Sequence, residues 1–142
     1  MTRVDFYILE AGAPGNRFTL AARLAEKAWR AGHRVLVAVP DEEQQRHMDR
    51  LLWVLRDTSF VPHGLMHQAD PELNPVLITR DDPGDEHDVL INLHPQVPEF
   101  FSRFERVAEC LDAEPAVREA GRARYRFYRD HGYPLDTHTI ER

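Results

Sequence analysis

Arg34-Val35-Leu36-Val37-Ala38-Val39 decides the fold. Five consecutive apolar residues, three of them β-branched, leave no polar face, so the stretch reads as a strand buried on both sides. Immediately before it, Asn16 to Ala31 carries Leu20, Leu24 and Ala28 at helical spacing. Ala21 and Ala25 broaden the stripe, and Ala31-Gly32 supplies a stop. Earlier still, Val4-Asp5-Phe6-Tyr7-Ile8-Leu9 is a second apolar run with one charge. A strand, a helix and a strand within so short a span imply a crossover and a parallel pair.

The pattern continues downstream. Asp41 is placed to cap a helix, Gln44 stands at capping-box spacing, and Glu42 and Glu43 lie at the positive end of the dipole. Pro75 to Thr79 reads as a third strand, Asp88 to Leu93 as a fourth, and Arg106 to Leu111 as a fifth that buries Cys110. Phe100 to Phe104 is a short amphipathic segment, an arginine-rich helix follows, and residues 134–142 read as an extended tail. The expected architecture is one α/β domain over 1–142. It has three layers: a mostly parallel central sheet with helices on both faces.

The whole-chain properties narrow the function. At 142 residues, with 42% hydrophobic and 30% charged content, the chain can build its own core. Cys110 is the single cysteine, so no internal disulfide or cysteine-pair metal site is available. No leader pattern or membrane-length apolar run is seen, and the cytoplasm is the expected compartment. A net charge of -6 argues against coating duplex DNA, which needs a basic surface.

Catalytic signatures do not emerge. Ala11-Gly12-Ala13-Pro14-Gly15-Asn16 follows the first strand but is not G-x-G-x-x-G, and no P-loop lysine follows it. The acidic loop Asp81 to Asp88 lacks a calcium-loop pattern and reads as a solvated turn; His47 and Asp49 do not share a ligand face. There is no nucleophile elbow and no H-E-x-x-H. The expectation is a non-catalytic protein with no cofactor and no metal, the alternative being a small nucleotide-dependent α/β enzyme.

Two surfaces stand out instead. Val117 to Arg129 holds five arginines against one glutamate. At ~100° per residue, Arg118, Arg122, Tyr125 and Arg129 fall within roughly a 60° stripe, with Arg126 at its border and Val117, Gly121 and Tyr128 on an inward face. A ladder of guanidiniums around an aromatic ring suits carboxylate or phosphate ligands. The alternatives are a solvated helix face or direct single-stranded nucleic-acid binding. The second surface is Trp53 with Phe60, Val61, Leu65 and Met66 around a proline turn. It either folds back onto the core or forms an exposed patch that marks a protein partner.

Taken in order, several stretches resemble the chi subunit family of bacterial DNA polymerase III. They are Phe6-Tyr7-Ile8-Leu9; Ala28-Trp29-Arg30-Ala31-Gly32 with Val35-Leu36-Val37; Asp41-Glu42 with Gln44; Leu52-Trp53; Phe60-Val61-Pro62-His63; Val89-Leu90-Ile91-Asn92-Leu93; and Arg124-Tyr125-Arg126 with Tyr128-Arg129 and Gly132. The resemblance implies a non-catalytic accessory protein of the clamp-loader complex. Such a protein joins the complex as a 1:1 heterodimer with the psi subunit and holds the acidic, phenylalanine-terminated tail of single-stranded DNA-binding protein. It further implies that Arg118, Arg122, Tyr125, Arg126 and Arg129 bind the tail, with Leu111 as an apolar wall, and that Trp53, Phe60, Val61 and Pro62 face psi. No membrane contact is implied.

Overall fold

The computed structural model describes residues 1–54 and 61–141. Among them, seven strands form one sheet: β1 (Arg3–Leu9), β2 (Val35–Ala38), β3 (His63–Leu65), β4 (Val76–Thr79), β5 (Val89–Asn92), β6 (Arg106–Leu111) and β7 (Leu135–Ile140). The helices among the described residues are α1 (Arg17–Arg30), α2 (Glu42–Val54) and α3 (Pro115–Asp130), with a 3-10 turn at Phe101–Arg103. Strand order is β3-β4-β2-β5-β6-β1-β7, and every pairing is parallel.

The alternation of β2 shows why it has no polar face. Val35, Val37 and Val39 pack with Ala21, Ala25, Met48 and Leu52 below α1 and α2. Leu36 and Ala38 point the other way, into a cluster with Phe101, Phe104 and Tyr128 on the α3 side. The three layers expected from the sequence are present.

The helix boundaries follow local chemistry. The Asn16 side-chain oxygen accepts from the Phe18 and Thr19 amides at 3.0 and 3.1 Å, and Thr19 Oγ1 accepts from the Asn16 amide at 2.9 Å, a complete capping box. Asp41 Oδ1 accepts from the Gln44 amide at 2.8 Å and so caps α2 as expected. Gly32, with φ of +93°, ends α1 in a conformation that a side chain would strain.

Three features differ from the sequence reading. β1 and β2 are parallel but not neighbours, because β5 and β6 lie between them. α1 therefore spans three inter-strand steps, about 14 Å. A short strand, β3, forms at His63–Leu65, a stretch to which the sequence reading assigned no strand. The segment after Pro134 is extended, yet it is an edge strand rather than a tail: β7 pairs with β1 from Leu135 opposite Val4 to Ile140 opposite Leu9.

Candidate functional site

A buried polar network sets the roll of α3. Glu109 on β6 is fully buried and accepts from Arg124 Nε at 3.0 Å, Tyr128 Oη at 2.7 Å and Asn92 Nδ2 at 3.1 Å. Arg124, 5% exposed, also donates Nη1 to the Pro95 carbonyl at 2.8 Å. Burial pushes the Glu109 carboxyl above its ordinary value, against the pull of Arg124, Tyr128 and Asn92. Burial, then the neighbouring Glu109, raises the Tyr128 phenol. His94 is held below its ordinary value by desolvation and, secondarily, by Arg124.

Arg124 and Tyr128 are one helical turn apart, so fixing both against Glu109 fixes which side of α3 meets the sheet. Gly121 completes this inward face. A Cβ there would lie 2.6 Å from Leu111 Cδ1, so only glycine lets the helix come this close to β6. Sequence reasoning placed Gly121 and Tyr128 inward but assigned Arg124 no role. The helical angle that groups it with those two was the available signal.

The remaining arginines are turned outward. Arg122 and Arg126 are exposed, and among the described residues no carboxylate lies within ion-pair distance of either. Arg129 is exposed and pairs with Asp130 at 3.1 Å. Arg118 is more committed: Nε donates to the Asp112 carbonyl at 2.8 Å and Nη2 lies 3.4 Å from Glu10 Oε2. Tyr125 is half-buried, its ring set edge-on to Phe6 at 5.3 Å, while Val117 remains partly accessible along the same helix. Leu111 is 4% exposed beneath Gly121. The resemblance implied it as an apolar wall of the tail site; here it supports the helix from below, covered by the close helix-strand approach.

A family model described as DNA polymerase III chi subunit, HolC, matches residues 1–136. The chain belongs to the DNA polymerase III chi-subunit family. It is 45% identical over 142 residues to the DNA polymerase III subunit chi of Pseudomonas aeruginosa, covering all of this chain and 99% of that protein. It is 31% identical over 145 residues to the subunit of the same name in Escherichia coli, with 98% and 99% covered. The Haemophilus influenzae chi subunit is 30% identical over 138 residues, with 96% of each covered.

The second surface of this chi-family chain is split by the structure. Trp53 is 58% exposed and its neighbour Val54 67%, at the end of α2. The Trp53 indole sits edge-on to the His63 ring at 5.2 Å. His63 is buried and donates Nδ1–H to the Val61 carbonyl at 2.7 Å. Pro62 is half-buried. Val61, implied as a contact, is 2% exposed and packs into the core with Met48 and Leu52, so its side chain faces inward. Phe60 lies outside the described residues.

At the carboxyl ends of the strands, where doubly wound folds hold nucleotides, a cleft of about 180 Å³ is bordered by Arg17, Gln44, His94 and Arg124. Small-molecule pockets usually enclose ~300 Å³ or more. Arg17 is already engaged by Asp112 at 3.2 Å and Glu114 at 3.1 Å, and Arg124 by Glu109. Among the described residues no group of His, Cys, Asp or Glu side chains gathers as metal ligands, and no helix is long and apolar enough to cross a membrane.

Proposed function

We propose that this chain is a non-catalytic linker in DNA replication. It joins the clamp loader of DNA polymerase III through the psi subunit and grips the acidic C-terminal tail of single-stranded DNA-binding protein with the outward face of α3. The observation that carries the reading is the pair Arg122 and Arg126, exposed beside Tyr125 without a neutralising carboxylate among the described residues. An aspartate-rich peptide ending in a phenylalanine and a free carboxylate needs cations for its acids, a fork for its terminus and an apolar surface for its ring. Arg122, Arg126 and Arg129 provide the first two, and Tyr125 and Val117 provide the third. Arg118, half-committed to Asp112 and Glu10, contributes less.

Exposed ion pairs each yield only about 0–1 kcal/mol, so micromolar binding, about -8 kcal/mol, also requires burial of the ring against Tyr125. Binding is therefore modest and weakens with salt. The psi contact centres on Trp53, an aromatic anchor of the kind interfaces favour, with Pro62 beside it in a 1:1 heterodimer in the cytoplasm.

The test is titration of a labelled tail peptide. Arg122→Ala and Tyr125→Ala should each lose far more affinity than Arg30→Ala on α1. Equal losses at all three positions would remove α3 from the proposal. A plain single-stranded oligonucleotide binding as tightly as the peptide, with amidation of the peptide terminus making no difference, would reassign the ladder to nucleic acid. Failure of Trp53→Ser to weaken co-purification with psi would remove the second contact.

A further inference from the structure

The sheet face opposite α3 is incompletely covered. α1 packs chiefly over β2, β5 and β6, and α2 over β3 and β4, which leaves β1 and β7 at the margin of α1 on that side, with Leu9 and Ile140 reaching its Leu20 and Leu24. Two strands are ~10 Å wide, close to the ~10 Å diameter of one helix. A cleft of about 470 Å³ occupies the beginning of this gap, floored by Tyr7, Ile91 and Ala108 and walled on the α1 side by Leu24, Ala28 and Ala31. A second cleft of about 190 Å³, bordered by Leu9, Leu20 and Ile140, shares Leu24 and Lys27 with the first. The two adjoin along α1 as a groove with an apolar floor, bordered at its far end by His33, Asp88 and Glu105.

The far wall is held in place. Asp5 is 2% exposed, with His138 Nε2 3.1 Å from Oδ1 and Arg106 Nε 3.4 Å from Oδ2. Tyr7 stacks on the His138 ring at 4.7 Å, and Arg3 is tied to Asp136 at 2.8 Å. The cations of this wall are therefore already paired. Those of the near lip are not. Arg23 and Lys27, one turn apart on α1, are exposed, and among the described residues neither has a carboxylate within ion-pair distance. In a protein of net charge -6, two uncompensated cations along the α1 lip, against the one unpaired carboxylate of Glu105 at the far end among the described residues, favour an acidic partner.

We infer that the groove between α1 and the β1–β7 edge is a docking site for an amphipathic helix of a partner protein, its apolar stripe on Tyr7, Leu24 and Ala28 and its carboxylates along Arg23 and Lys27. β1 is about 23 Å long, which a helix of ~15 residues would match. The site is separate from the α3 ladder and from Trp53, so it stands whether or not those surfaces act as proposed.

The probe is a synthetic 15-residue helical peptide with leucines at i, i+3, i+4 and i+7 and glutamates flanking them, compared with its lysine-for-glutamate counterpart. Both are titrated into the full chain and followed by amide resonances. The acidic peptide should shift Tyr7, Leu24, Ala28 and Ala108, and Arg23→Glu with Lys27→Glu should weaken it by roughly tenfold or more. The lysine peptide should not bind the wild type. Absence of binding, shifts confined to Arg122 and Arg126, or undiminished binding by the double variant would overturn the inference. So would groove shifts that depend on protein concentration alone, which would mean self-association, or a single-stranded oligonucleotide taking the same residues more tightly than the peptide.

Discussion

Arg122 and Arg124 stand two positions apart on α3 and belong to opposite worlds. Arg124 is enclosed with Glu109, Tyr128 and Asn92 and orients the helix. Arg122 projects from the other side, and among the described residues no carboxylate lies within ion-pair distance of it. The difference teaches that a basic helix need not spend its charge uniformly: one guanidinium anchors the scaffold so that its neighbours can be presented to something else.

The strongest way to break this contrast is Arg124→Leu. Removing one partner of a buried pair leaves the other uncompensated, at a cost of about 3–5 kcal/mol measurable by urea unfolding. The loss should depend on pH. Without Arg124, burial would push the Glu109 carboxyl higher still above its ordinary value, so the folded state binds the proton more tightly than the unfolded state. Stability then falls as pH rises above the ordinary carboxyl range and returns as pH is lowered. Arg124→Leu should therefore lose less at pH 5 than at pH 8, and a loss independent of pH would contradict this account. Arg122→Ala, by contrast, should change stability by less than about 0.5 kcal/mol.

Gly121→Ala should come next. Alanine gains about 1 kcal/mol of helix propensity, but its Cβ would meet Leu111 in a packed interior, where overpacking costs about 1–3 kcal/mol. We expect net destabilisation, relieved when Leu111→Val is added; a more stable single variant would show that the helix can lift off without penalty. A smaller effect is expected for tail-peptide affinity, which Arg122→Ala should reduce about tenfold, equal to about 1.4 kcal/mol. The smallest concerns His94. Desolvation holds its imidazole below the ordinary histidine value, so the stability it contributes is fully present above that ordinary value and is lost as pH falls through the depressed one. NMR titration of its ring protons should give a midpoint below that of a free histidine.

What could be read from the sequence was what burial imposes on residue type. β2, β4, β5 and β6 are inner strands and carry apolar runs; Asn16 and Asp41 announce their helices because unpaired amides need acceptors. β7 escaped because it is an edge strand whose middle, Asp136 to Thr139, is exposed and polar, while its apolar residues Leu135 and Ile140 stand only at its two ends. The separation of β1 from β2 was hidden because a crossover fixes direction, not adjacency. The ladder was legible from helical angle, whereas the burial of Arg124 depended on Glu109, a partner on another element that periodicity does not point to. The apolar run around Val61 fitted either core or patch, and the structure places Val61 in the core; Leu111, implied by the resemblance as an apolar wall, lies buried beneath α3.

The position of β1 has a kinetic consequence. Val4 is flanked by Val107 on one side and Leu135 on the other, so β1 is made well before either of its lateral neighbours. Closing such distant pairings slows folding and leaves early apolar segments waiting during synthesis. Premature termination before residue 135 would strip one flank from β1 and lay bare a new sheet edge, an invitation to aggregate.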